Sequence, residues 1–274
     1  PSQESHYSRH SSKKQCLSQD LSVKKMFVLL KEAHPNVACK LHLYRDVFRS
    51  SFNLRFGFPR SDTCQKCDSY YVKLLNAADE TERNKILIES ELHHRKAEKS
   101  YSTLKEDSEL AKNNSNLIVL TTDLQQVLFT PSLTHSNVFY QRQYSCYNYG
   151  VHDAANGNAT MHLWHETVAK RGSAEIASCL LLYTYCEHRK LVVWSDRCVG
   201  QNNNFKMVIL LKNLVSWKYF TEADQKFFCS GHSFLPCDRE FALIERQKKT
   251  SMVYVPFDWV TVIANARPSK PFHV

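Results

Sequence analysis

The chain is poor in several things, and each shortage removes a class of protein. No apolar run approaches the roughly 20 residues that a helix needs to cross a bilayer. The opening residues Pro1-Ser2-Gln3-Glu4-Ser5-His6 carry no hydrophobic signal core. Ten cysteines in 274 residues are too sparse for a disulfide scaffold and suit a reducing compartment. Glycine is scarce, at 6 residues, and no glycine-rich phosphate loop is present, which argues against an ATP-driven motor. No Ser or Cys nucleophile motif stands out, and there is no helix-turn-helix or multi-finger array. The expectation is a soluble, intracellular chain with no membrane partner. The absent initiator Met, and an end at Phe272-His273-Val274 that reads as a strand cut short, suggest a fragment.

What is present is an ordinary core-forming composition, 43% hydrophobic and 23% charged, with a net charge of +9. The positive excess favours a polyanion such as nucleic acid, because neutralised phosphates release counterions. The length allows one large domain or two ordinary ones.

Residues 1–112 read as helical. Leu21–Leu30 has apolar residues at helical spacing, with Asp20 placed to cap it, and Pro35 ends it. A second helix spans Leu41–Phe52. From Asp79 to Lys112 the chain is highly charged, with Ile86, Leu92, Ala97, Tyr101 and Leu104 at helical intervals. This predicts a long exposed helix or helical hairpin, and a second copy of the chain is a candidate partner for it. Between these helices, Cys64-Gln65-Lys66-Cys67 sits on a predicted turn. Two thiolates at that spacing can grip one tetrahedral Zn²⁺, with two further ligands needed. His93 or His94 is the nearest source, and His6, Cys16, His34 and Cys39 are further candidates. The plainer alternative is two incidental cysteines.

Residues 113–274 change character. Leu117–Thr122, Val138–Tyr149, Ala159–Glu166 and Leu191–Asp196 read as strands, and a fifth covers Lys226–Cys229. Gly172–Cys186, Gln201–Trp217 and Leu235–Lys249 read as helices. Three strands, then helix, strand, helix, strand, helix is the order of an α/β ribonuclease-H-like fold, in which the first and fourth strands lie side by side. Asp123 and Asp196 each end one of those two strands, and Asp238 opens the last helix. Carboxylates fixed by strand ends can hold a pair of Mg²⁺ or Mn²⁺ ions roughly 3.5–4 Å apart for in-line phosphoryl displacement. Glu245, seven residues beyond Asp238 on the same helix, is the rival third acid. Taken singly, each Asp has a bland explanation, since Asp is common at strand ends and helix starts. His232 could orient a phosphate or water, or serve the turn after Gly231. Gln201 and Asn202 could contact a nucleic-acid backbone or cap the following helix. Lys206 and Arg239, with Lys212 and Arg246, are candidate phosphate contacts or plain solvated charges.

Ser195-Asp196-Arg197-Cys198-Val199-Gly200-Gln201-Asn202-Asn203-Asn204 resembles a signature of transposon-derived animal proteins. Thr122-Asp123-Leu124-Gln125-Gln126, Gly231-His232-Ser233 with Asp238, and Asp62-Thr63-Cys64 with Cys67-Asp68 match the same group. The family looks like the DDE/D transposases with a ribonuclease-H-like core. The resemblance implies metal-dependent DNA strand cleavage and strand transfer in the nucleus, with water or a 3′-hydroxyl as nucleophile. The chain departs from the pattern at Arg197, Val199, Ser8 and Phe241, while the acids are kept. Two other readings remain: a host-adopted module that binds DNA or protein without catalysis, and a nuclease acting on RNA or an RNA–DNA hybrid.

Overall fold

The computed structural model describes residues 15–18, 21–56, 64–133, 136–183 and 189–274. His6, Asp20 and the Asp62-Thr63 pair lie outside them, as does the side chain of Cys16. The chain divides into two compact units, Pro1–Leu87 and Ile88–Val274.

In the first unit, β1 (Gln15–Leu17), α1 (Val23–Ala33), α2 (Leu41–Ser51), β2 (Leu54–Phe56) and α3 (Gln65–Leu75) follow in order. Ser22 caps α1, its hydroxyl accepting from the Lys25 amide at 3.1 Å. Phe27 of α1 meets Tyr44 of α2 with ring centroids 5.6 Å apart, and Phe48 stacks on Phe56 at 5.5 Å. The short strands β1 and β2 pair in parallel. Cys64 and Cys67 are not on a turn. Cys64 is the N-cap of α3 and Cys67 lies in its first turn.

The charged stretch forms one continuous helix, α4 (Glu80–Asn113), not a hairpin. Its buried positions include Ile86, His93, Ala97, Asp107 and Ala111, whereas Leu92 is exposed. Thus His93, not its apolar neighbour, occupies the inward face.

The second unit is a mixed α/β structure built on a six-stranded sheet. Its strands are β3 (Leu117–Leu124), β4 (Leu128–Thr130), β5 (Tyr144–Asp153), β6 (Ala159–His165), β7 (Arg189–Ser195) and β8 (Phe220–Phe227). From β6 the neighbours run β5, β3, β7, β8, with β4 extending the β3 side of β5. β3 pairs antiparallel with β5 and parallel with β7, and β7 pairs parallel with β8. The expected adjacency of the strands leading to Asp123 and Asp196 is therefore present. The second expected strand begins later, at Tyr144, after a 3₁₀ turn over Ser136–Tyr140. The fifth covers Phe220–Phe227, not Lys226–Cys229, so Trp217–Tyr219 is the connection into it.

Strand alternation sends successive side chains to opposite faces, and the core divides accordingly. Leu120, Leu191 and Val193 pack with α5 (Ser173–Tyr183) and α6 (Phe205–Ser216) through Ile176, Leu180, Met207 and Leu214. Val119, Val192 and Trp194 point the other way, into a cluster with Ala111 and Leu104 of α4. On that face Asp107 of α4 is buried, accepts from Trp194 Nε1 at 2.8 Å and pairs with Lys226 Nζ at 2.8 Å. α7 (Pro236–Lys248) and α8 (Asp258–Asn265) close a third cluster over β4, β5 and β6 around Trp259, Phe241 and Met161. No helix of the described residues is long and apolar enough to cross a membrane.

Candidate functional site

β3 and β7 run in register up to Thr122 opposite Ser195. The next residue along each segment is an acid, Asp123 still within β3 and Asp196 just past the end of β7, so the two lie at the same end of this strand pair. Val119 and Thr121 precede Asp123 on one face, as Val192 and Trp194 precede Asp196. By the two-residue period both acids belong to the face that carries α4 and α7.

Asp238 reaches them because the start of α7 is fixed on β3 and β5. Buried Cys237 donates to the Thr121 carbonyl at 3.2 Å and approaches the Gly150 carbonyl at 3.6 Å. Gly150 lies opposite Asp123 in the β3–β5 ladder. Its missing side chain is what lets Phe241 settle, since a Cβ there would lie 3.0 Å from the phenyl ring. Pro236 occupies the first turn, where an amide hydrogen is not needed, and Asp238 Oδ2 accepts from the Leu235 amide at 2.7 Å.

The three aspartates are electrostatically coupled. Asp123 is raised from the ordinary carboxylate range to about 8, by burial first and then by the charges of Asp238 and Asp196, against the lowering effect of its bond from the Leu124 amide. Asp238 is raised by burial and by Asp196, against the lowering effect of its bond from Leu235. Among the described residues none of the three forms an ion pair with Lys or Arg. Such a set of carboxylates without a compensating cation is the electrostatic condition that a divalent metal relieves. Its donors are all carboxylate oxygens. The three are nonetheless less tightly gathered than the Cys/His group described below.

Glu245 is held elsewhere. Its Oε1 accepts from Gln125 Nε2 at 3.0 Å and its Oε2 pairs with Lys248 at 3.3 Å. Gln125 in turn accepts from buried Asn148 at 2.8 Å. Asp196 Oδ1 accepts from Asn202 Nδ2 at 2.6 Å and from the Cys198 amide at 3.2 Å. Asn202 is 1% exposed. Gln201 is half-buried, and Lys206 and Arg239 are exposed. The cap of α6 is Asn204, which accepts from the Lys206 and Met207 amides, so the helix starts at Phe205 and not at Gln201.

A second group has different chemistry. One ligand atom each from Cys64, Cys67, His93 and His232 all lie within 4.8 Å of one another. Two thiols and two imidazoles, three of the four residues buried, can hold a metal such as zinc in tetrahedral geometry. His232 thus lies in this cluster rather than with the aspartates. His93 and His232 rings meet edge to face at 4.9 Å, with His94 just outside, 6.1 Å from His232. Cys229 Sγ approaches His93 Nδ1 at 3.6 Å. Sequence reasoning passed over His232 as a ligand, although Cys229-x-x-His232 repeats the spacing of Cys64-x-x-Cys67. Gly231, at φ +79°, turns the chain immediately before His232. Tyr101 of α4 fixes the segment that follows, donating to the His232 carbonyl at 3.0 Å and accepting from the Phe234 amide at 3.1 Å.

Residues 143–271 match a domain of unknown function, DUF7869. No curated protein matches. A cryo-EM structure of the simian T-cell lymphotropic virus intasome in complex with PP2A regulatory subunit B56 gamma is similar over 70% of this chain, at 12% identity and a TM-score of 0.30. The match covers 59% of that chain, and a likeness this distant carries no argument.

Proposed function

We propose that the chain is a DDE/D-type nuclease with a ribonuclease-H-like core, cutting DNA and transferring strands with Mg²⁺ or Mn²⁺. The observation that carries this reading is the convergence of Asp123, Asp196 and Asp238. Two come from the ends of adjacent parallel strands and one from the first turn of a helix; the charges of Asp238 and Asp196 raise Asp123, that of Asp196 raises Asp238, and among the described residues none of the three is ion-paired to Lys or Arg. The strand order β6-β5-β3-β7-β8, with β5 antiparallel to β3, supports the ribonuclease-H-like assignment. In this reading residues 113–274 form the catalytic domain and residues 1–112 a helical region carrying the zinc ligands Cys64 and Cys67.

Asp123, Asp196 and Asp238 hold the metals, which when bound activate the nucleophile and stabilise the leaving 3′-oxygen. Asp238 is the third acid in preference to Glu245, because its charge reaches Asp123, whereas Glu245 is paired with Gln125 and Lys248. Lys206 and Arg239, both exposed, supply phosphate contacts. The partner is DNA, the compartment the nucleus, and a second copy of the chain a further partner.

The test is cleavage of labelled duplex DNA bearing candidate element ends, with Mg²⁺ or Mn²⁺, by this chain and by Asp123→Ala and Asp196→Ala. Metal-dependent nicking that disappears in both variants is expected. Binding without cleavage in all three proteins would replace the enzyme with a host-adopted DNA-binding module. Cleavage that requires a 2′-hydroxyl would redirect the reading to RNA or a hybrid.

A further inference from the structure

Between the end of β7 at Ser195 and the start of α6 at Phe205, the chain folds into a compact loop. The Cys198 carbonyl accepts from three successive amides, Gln201 at 3.2 Å, Asn202 at 2.8 Å and Asn203 at 3.0 Å. This turn carries Asn202 back against Asp196. The Asn202 side chain is 1% exposed, and its Nδ2 donates to Asp196 Oδ1 at 2.6 Å. The amide can point only this way, because its oxygen could not face a carboxylate at that distance. Among the described residues its own Oδ1, which is buried, has no hydrogen-bond partner, so the contact with Asp196 is kept at a desolvation cost. From the far side, Gln225 Nε2 of β8 donates to the Asn202 carbonyl at 2.8 Å and braces the residue.

We propose that Asn202 is the positioning residue for Asp196, holding Oδ1 so that Oδ2 is presented to a divalent cation. This rests on the reading of Asp196 as a metal ligand. Among the described residues, both donors to the Asp196 carboxylate, Asn202 Nδ2 and the Cys198 amide, go to Oδ1. A neutral amide is suited to the task. It fixes the plane of the carboxylate without introducing a positive charge, where Lys or Arg would compete with the metal. The neighbouring Asn204 has a different role in the same loop, as the cap of α6. The Gln-Asn-x-Asn run therefore combines one asparagine that aims the acid and one that starts the helix.

The experiment is Mn²⁺ binding to the zinc-loaded 274-residue chain, measured by the electron-spin signal of free Mn²⁺, alongside thermal melting. Wild type is compared with Asp196→Ala, Asn202→Leu, which keeps the shape and removes the donor, and Asn204→Ala. Wild type binds and Asp196→Ala does not. Asn202→Leu binds about 10- to 100-fold more weakly, the range of an outer-shell partner. Asn204→Ala melts lower, as lost caps do, with Mn²⁺ affinity unchanged. Equal affinity in wild type and Asn202→Leu overturns the proposal and leaves the metal reading standing, as does equal weakening by Asn204→Ala. Absence of Mn²⁺ binding in wild type overturns both. If Asn202→Leu does not fold, Gln225→Leu replaces it, with weaker Mn²⁺ binding expected and unchanged binding decisive against the proposal.

Discussion

The Cys/His cluster and the proposed aspartate site differ in almost every physical respect. The Cys64, Cys67, His93 and His232 set is closed, with four soft or intermediate donors within 4.8 Å of one another. The Asp123, Asp196 and Asp238 set is looser and all-oxygen, with Asp123 and Asp238 raised by burial and by the neighbouring carboxylates. Closed four-donor sites hold a metal for the sake of the fold, whereas sites with open positions leave room for water and substrate. The difference predicts two metals with separate consequences. Cys67→Ser should remove bound zinc and cost several kcal/mol or more, since structural zinc is worth on the order of 10 kcal/mol in small domains. Elemental analysis and thermal melting measure both effects. Asp123→Ala should keep its zinc, and a loss of zinc in that variant would collapse the distinction between the sites.

The same contrast applies within α7, which carries both candidates for the third acid. Asp238 raises Asp123 by its charge, while Glu245 acts through Gln125, tying the helix to the end of β3. Single-turnover cleavage should fall beyond about 100-fold in Asp238→Asn. In Glu245→Gln it should stay within the roughly 10- to 100-fold of an outer-shell partner. The reverse order would make Glu245 the ligand.

Much of the sheet was legible from periodicity alone. β3 and β7 each carry a short apolar run, residues 117–120 and 191–194, as two-sided burial in a parallel pair requires, followed by buried Thr121-Thr122 or Ser195 and then the acid. Where alternation was weak, the reading slipped. β8 has only one buried residue in its strand pattern, Phe220, so its polar body looked like a loop. The helical spacing counts Leu92 among the apolar positions of α4, but the inward place belongs to His93. A histidine on a buried face gives no hydrophobic signal, although it is what a metal centre needs. Asn202 was legible as a polar residue before a helix, but not as a partner of Asp196. That contact depends on three amides converging on one carbonyl, which no spacing rule encodes.

The electrostatic cost of the aspartate site can be measured without any substrate. Asp123 is raised to about 8. Below about pH 4 it is protonated in both folded and unfolded chains and contributes nothing to the pH dependence. Between about pH 4 and 8 the unfolded chain loses the proton while the native chain keeps it, so stability falls. Above about 8 both are ionised and the full penalty persists. In zinc-loaded protein without added Mg²⁺, Asp123→Asn should therefore melt progressively higher than wild type across that window, by on the order of a few kcal/mol. Adding Mg²⁺ should narrow the gap, because the cation stabilises the ionised wild-type site and has one ligand fewer in the variant. A constant difference across pH would mean that the carboxyl is not held in the protonated form.

The smallest effect separates packing from charge. Gly150 stands opposite Asp123, and its lack of a side chain lets Phe241 bring α7 against β5. In Gly150→Ala the new methyl meets the phenyl ring at 3.0 Å, so the ring, or the helix with it, must give. Overpacking of this kind costs about 1–3 kcal/mol, and the lower end is expected here because a single ring edge has to yield. Asp238 lies one turn of α7 before Phe241, so a shift of the helix moves the acid while every carboxylate stays present. Gly150→Ala should therefore bind Mn²⁺ more weakly than wild type with its zinc content unchanged. Phe241→Leu, which trims the ring, should restore part of the lost affinity in the double variant. Rescue would show that the glycine serves the closeness of α7 and β5. Failure to rescue, with affinity still low, would mean that Gly150 acts through the conformation of its own strand.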